Sequence, residues 1–182
     1  PAEIDLIKKA CSITEKGFRR VLEFVKPGVW EYEIEAEFSH EFIKNRSKKF
    51  AYSPIIASGL NSTILHYINN NKQCRKNELV LMDVGAEYAN YSSDMTRTIP
   101  VSGKFDKRQK AVYKSVLHVK NEATKLLRPG IMWKDHHIEV GKIMTSELLK
   151  LKLLDKADIQ NETKKNPAFK KYFTHGTSHH LG

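Results

Sequence analysis

The segment 78–100, ELVLMDVGAEYANYSSDMTRTIP, constrains the fold of this chain more than any other. It reads as two strands, 79–85 and 91–99, joined by a tight turn. The first is apolar and rich in branched residues, yet it carries Asp83; the second alternates more clearly and carries Asp94. A carboxylate inside a strand that otherwise reads as buried is costly unless it is paired or binds a metal. In an antiparallel hairpin with an even loop and no bulge, opposed residues have position numbers that sum to an odd value. Asp83 and Asp94 meet that condition, which puts both on one face, opposite or diagonal to each other. Two carboxylates held so close repel each other unless a cation sits between them. One divalent ion, or two, accounts for the pair; the plainer alternative is two strand-end aspartates facing water.

The run VLMDVGAEY also resembles the strand, acid and glycine that open a nucleotide-binding unit. Such a unit needs a glycine-rich turn leading into a helix. Gly85 is the only glycine here, and Tyr88-Ala89-Asn90-Tyr91-Ser92-Ser93 reads as a turn and a strand, so that reading is rejected.

The rest of the chain supplies helices around this hairpin. Ile4, Ile7, Cys11, Thr14, Phe18, Val21, Leu22 and Val25 recur at helical spacing over 3–25, and Lys26-Pro27-Gly28 stops the run. A second helix is predicted over 31–48, with Ile34, Phe38 and Phe42 on one stripe. Residues 50–67 read as short strands broken by Pro54 and Gly59. Beyond the hairpin, Asp106 caps a long helix to about 127, Arg128-Pro129-Gly130 ends it, and another helix runs over 133–151. Residues 152–166 are polar and irregular, with room for short helical turns. A last strand is expected to start at Tyr172-Phe173-Thr174, placing His175 and His179 on one face and His180 on the other. The helix, basic-Pro-Gly, helix pattern occurs twice, at Lys26 and at Arg128, 102 residues apart. That echo predicts two similar halves, about 1–104 and 105–182, the second lacking most of its sheet.

The bulk properties exclude several classes. At 182 residues the chain can bury one substantial core, or two small halves. No run approaches the ~18 apolar residues of a membrane span, and no secretory signal is present. The net charge of +10 favours anionic partners in principle, but the lysines are scattered and no aromatic–basic platform for nucleic acid is visible. Cys11 and Cys74 lack any metal or disulfide spacing, which fits a reducing cytoplasm. The start at Pro1 rather than Met predicts a piece of a longer protein.

Four motifs, taken together, resemble a known family. Ile64-Leu65-His66-Tyr67, Met82-Asp83-Val84-Gly85-Ala86-Glu87-Tyr88, Ser93-Asp94-Met95-Thr96-Arg97-Thr98 and His175-Gly176-Thr177-Ser178-His179 are similar, in order, to the catalytic domain of aminopeptidase P. This is the Xaa-Pro aminopeptidase branch of the pita-bread metallopeptidases, and the resemblance covers essentially the whole chain. It implies an α+β pita-bread (creatinase/aminopeptidase) fold, a curved antiparallel sheet flanked by helices in two similar halves. It implies two divalent ions, manganese first, with cobalt or zinc as alternatives. Residue by residue, Asp83 would chelate one ion, Asp94 would bridge both and His179 would bind the second. His66 would sit beside the substrate to move protons or anchor the peptide, and His175 would line the site near the scissile bond. Tyr52 matches a family tyrosine near the metal acids and would help bind the substrate.

The implied chemistry is hydrolysis of the N-terminal residue from peptides with proline second, by a metal-activated water. The family's two glutamate ligands and a third histidine follow the His175–His179 motif and are not found in this sequence. The N-terminal domain that usually precedes this region is absent too. The chain is therefore expected to be a truncated catalytic domain, weak in metal binding and inactive alone, from a cytoplasmic, homo-oligomeric enzyme. Proline dipeptidase, which usually has glycine where Ser178 stands, is the alternative within the class. A metal-free pita-bread binding module is the alternative outside it; Asp83, Asp94, His66, His175 and His179 argue against that, since a binding module has no need of them.

Overall fold

The computed structural model describes residues 1–163 and 165–181. Backbone contacts divide them into two compact units, Pro1–Phe105 with Leu181, and Asp106–His180.

The first unit opens with α1 (Ala2–Phe24) and α2 (Glu31–Lys44). The buried stripe of α1 is Ala10, Ile13, Thr14, Gly17, Phe18 and Val21, at the three- and four-residue spacing of a single helix face. It is narrower than the periodicity predicted: Ile4 and Leu22 are exposed. Gly17 permits the contact with α2, because a Cβ there would stand 2.8 Å from both Phe38 Cδ1 and Phe42 Cε1. α2 buries Ile34, Phe38 and Phe42 as expected, and the Phe18 and Phe38 rings meet edge-to-face at 5.0 Å. α2 ends four residues before the predicted boundary. There Asn45 Nδ2 turns back to the Glu41 carbonyl at 2.9 Å and Arg46 takes a left-handed φ of 69°.

The sheet is antiparallel, in the order β1 (Ile55–Ser58), β2 (Leu79–Val84), β5 (Met95–Pro100). Val80, Met82 and Val84 of β2 are fully buried and join Ile13, Ile34, Phe38, Phe42 and Ile56 in one core. Burying side chains of this size stabilises by about 1.5–3 kcal/mol each. The strict alternation sends Leu79, Leu81 and Asp83 to the other, half-exposed face. The expected simple hairpin contains a smaller one: β3 (Glu87–Tyr88) pairs with β4 (Tyr91–Ser92) around Ala89 and Asn90, both left-handed, at φ 52° and 67°. Such φ values suit a two-residue hairpin turn.

One further expectation for this unit is corrected. Residues 64–67 are not a strand; a 3₁₀ turn, Gly59–Thr63, leads into an irregular loop. Cys74 is buried, because its N–H and C=O pair with Val29 and Gly28 and draw it under the chain.

The second unit comprises α3 (Lys107–Leu126), α4 (Trp133–Lys150), the short α5 (Lys156–Gln160) and a 3₁₀ turn, Ala168–Lys171. Asp106 caps α3 as predicted: its carboxylate accepts from Gln109 N at 2.8 Å while Gln109 Oε1 accepts from Asp106 N at 3.0 Å. Leu148, Leu154 and Phe169 form a small core, with Phe169 lying against the bare face of Gly141. The strand expected from Tyr172 does not form. Phe173 instead packs its ring against Phe169 and His137, each at 6.0 Å, which turns the chain toward α4 rather than extending it. No helix among the described residues is long and apolar enough to cross a membrane.

Candidate metal centre

The register places the two aspartates. Asp83 lies opposite Thr96, and Val84 opposite Met95, so Asp94 stands diagonal to Asp83, two residues from direct opposition. The small hairpin keeps the same register, with Glu87 opposite Ser92. The whole segment is therefore one long hairpin interrupted at Gly85-Ala86 and Ser93-Asp94. Asp83 is half-buried and Asp94 exposed.

The interruption is built from Gly85, Ala86 and Ser93 of the hairpin and Thr14 of α1. At Gly85 the strands come so close that a Cβ would fall 1.7 Å from the Ser93 carbonyl oxygen. Ala86 N–H donates to Thr14 Oγ1 of α1 at 2.8 Å, and the Thr14 and Ser93 hydroxyls bond at 2.7 Å. Ser93 Oγ also donates to the Ala86 carbonyl at 2.9 Å. A buried helix hydroxyl thus accepts from the backbone N–H that the broken ladder leaves over.

On the other side of β2, Ala51 N–H donates to the Gly85 carbonyl at 2.8 Å and Phe50 bridges to Ala86. This brings Tyr52 over Gly85, its Cε1 3.0 Å from where a Cβ would be. The Tyr52 hydroxyl, with its one proton, is within donating distance of both acids, Asp83 Oδ1 at 2.6 Å and Asp94 Oδ1 at 3.1 Å. The two carboxylates are therefore no farther apart than those two distances laid end to end. Burial, followed by the bond to Asp83 and the charges of both acids, holds the Tyr52 phenol well above the usual tyrosine range. It is a neutral donor at physiological pH.

Asp83, Asp94 and Tyr52 are thus brought together. His66 lies on the exposed loop after the 3₁₀ turn, with a left-handed φ of 56°. His175 and His179 belong to the second unit, and both are exposed. Each donates from Nδ1 to the next residue's carbonyl, Gly176 at 2.8 Å and His180 at 2.6 Å. Among the described residues, no three His, Cys, Asp or Glu side chains gather in a group able to hold a metal. The fit of the acids to a hard cation is chemical: two carboxylates on one face offer the oxygen donors such an ion takes.

Sequence reasoning missed Glu31, a helix-start acid that looks solvent-facing but is fully buried. It also missed Thr14 and Gly85 as the parts that shape the hairpin. The unusual glycine at a strand end was the one visible signal for Gly85. The partners of Glu31 and Thr14 lie 27 to 79 residues away, beyond any local pattern.

Comparison with known proteins followed the same line. The sequence model described as metallopeptidase family M24 matches residues 5–182. The chain is 40% identical over 182 residues to the Xaa-Pro aminopeptidase of Escherichia coli, covering 100% of this chain and 41% of that protein. It is 38% identical to the Xaa-Pro aminopeptidase of Haemophilus influenzae, covering 100% and 42%. A variant of Escherichia coli aminopeptidase P in complex with substrate superposes with a TM-score of 0.83 at 40% identity, over 85% of this chain and 35% of that one. Pseudomonas aeruginosa aminopeptidase PepP gives 0.82 at 37%, over 84% and 35%. The chain thus spans about two fifths of the length of these curated relatives. The mixed helices and sheet are those of the pita-bread fold, as the sequence motifs implied.

Proposed function

Because this chain belongs to metallopeptidase family M24, we propose that it carries part of the catalytic domain of an Xaa-Pro aminopeptidase. That enzyme would hydrolyse the first residue from peptides with proline in second position. The observation that carries this reading is the Tyr52-linked pair, Asp83 and Asp94, on one face of the hairpin. The names of the relatives at about 40% identity support the substrate class.

Asp83 would hold one divalent ion, Asp94 would bridge two, and His179 would bind the second. Manganese is the expected ion; a zinc-substituted Escherichia coli aminopeptidase P in complex with product stands among the similar structures. Such ions, when bound, would lower the pKa of a water and polarise the peptide carbonyl. Tyr52 would keep both carboxylates aimed at one place by sharing its one proton between them. His66, exposed on its loop, would hold or move a proton at the peptide, and His175 would line the site beside the scissile bond.

Residues 1–104 and 105–182 would be two similar halves of this domain. With two carboxylates assembled among the described residues, the chain by itself would bind metal weakly and be inactive. A cytoplasmic setting accords with Cys11 and Cys74, both free thiols.

The test is release of the first residue from an Xaa-Pro-Pro tripeptide by the protein at its full natural length with manganese, beside His179→Ala. Release that is lost in the variant supports the reading. Activity confined to Xaa-Pro dipeptides replaces it with a proline dipeptidase. Neither metal binding nor release leaves a binding module.

A further inference from the structure

The loop over 59–72, which carries His66, buries little apolar surface beyond the Tyr67 ring. Leu60, Ile64, Leu65 and Ile68 all face solvent, Leu60 with 83% of its surface exposed. Between Gly59 and Lys72 only Tyr67 and Asn70 are buried, and each carries a polar group into the interior. Both reach glutamates one turn apart on α2. Tyr67 OH donates to Glu31 Oε2 at 2.7 Å, and Asn70 Nδ2 donates to Glu35 Oε2 at 2.8 Å.

Glu31 is the centre of this arrangement. Its Oε1 accepts from Ser58 N at 2.7 Å, Ser58 Oγ at 2.8 Å and Asn61 Nδ2 at 3.3 Å. Its Oε2 accepts from Lys72 N at 3.0 Å as well as from Tyr67. The donors come from the start, the middle and the end of the loop. A fully buried carboxylate is tolerated only when its lone pairs are met, and here they are. His66, directly before Tyr67, is held at φ 56°, a left-handed conformation that side chains other than glycine avoid. Such a conformation persists only where its surroundings over-determine it.

We propose that Glu31 and Tyr67 are positioning residues for His66. The buried carboxylate grips the Tyr67 hydroxyl, and that grip sets the backbone from which the exposed imidazole projects. The inference rests on the reading that His66 serves the peptide substrate.

The experiment uses the full-length protein with manganese and an Xaa-Pro-Pro tripeptide. Tyr67→Phe keeps the buried ring and removes only the hydroxyl; Glu31→Gln keeps the shape of the carboxylate and is the second variant should the first fold poorly. Thermal unfolding establishes that each is folded. Tyr67→Phe is expected to lower kcat/KM about tenfold while causing no further loss in a His66→Ala background. It should also shift and broaden the His66 ring-proton resonance in NMR spectra, a readout independent of activity. Equal losses with and without His66 would show a purely structural role and overturn the proposal, as would wild-type activity with an unmoved His66 resonance. A wild-type protein inactive on every Xaa-Pro peptide would instead remove the functional reading, and the His66 resonance would still decide the positioning.

Discussion

Asp83 and Asp94 stand diagonally across one antiparallel ladder, and a single tyrosine hydroxyl reaches them both. Neither acid has the other as a direct cross-strand neighbour; Thr96 occupies that place for Asp83. Diagonal spacing with a shared donor keeps the carboxylates near enough for one hard cation. Asp83→Asn and Asp94→Asn should each weaken manganese binding at least tenfold in the full-length protein, measured by isothermal titration calorimetry. Tyr52→Phe should weaken it less, by about tenfold at most, because it removes the orienting bond and not a ligand.

Gly85 sits where no side chain fits. A Cβ would lie 1.7 Å from the Ser93 carbonyl oxygen, a backbone atom that cannot swing aside. Gly85→Ala should therefore cost about 3 kcal/mol of stability by urea unfolding. It should also move Asp94 relative to Asp83, so loss of metal affinity should accompany the loss of stability.

Thr14 tests the same hairpin from the helix side. It is fully buried and serves both Ala86 N and the Ser93 hydroxyl. Thr14→Val keeps the shape of the side chain but leaves the Ala86 N–H without that acceptor. A loss of about 1–3 kcal/mol is expected, whereas Thr14→Ser should retain most of the stability.

Glu147 of α4 gives a pH signature. Its hydrogen bond from Lys150 Nζ at 2.6 Å, and another from Ser115, hold its carboxyl below the usual range. A carboxylate depressed in the folded state stabilises above its unfolded pKa of about 4.3 and loses that contribution as pH falls through its folded value. Glu147→Gln should thus lower stability at pH 7 by about 1 kcal/mol. The gap should close as the pH is taken below about 4, which thermal unfolding across pH 2.5–7 would measure.

Much of this was legible because it depends on local pattern. The helices α1, α3 and α4 follow from the apolar repeat over 3–25, the Asp106 cap and the Pro-Gly stops, and their ends fall within a residue or two of prediction. The common face of Asp83 and Asp94 follows from parity alone, since a hairpin without a net bulge allows nothing else. Periodicity failed where a tertiary contact overrode it. Ile64-Leu65-His66-Tyr67 has the apolar content of a strand, but the Tyr67 side chain is captured by Glu31, and the backbone turns. Tyr172-Phe173-Thr174 reads as extended, but Phe173 finds a better partner in the Phe169 ring. Asp83 looked like a buried acid because its neighbours are apolar; the pleat sends it to the half-exposed face and the apolar neighbours to the core.

The loop bearing His66 also has an unusual thermodynamic character. Heat capacity rises on unfolding mainly when apolar surface meets water, and most of this loop's apolar side chains already do. Its opening would release a handful of hydrogen bonds and a single tyrosine ring, with almost no calorimetric trace. A melting curve would follow the core and pass over the loop. Amide exchange would not: the N–H groups of Ser58 and Lys72, both bound to the Glu31 carboxylate, would report its opening directly.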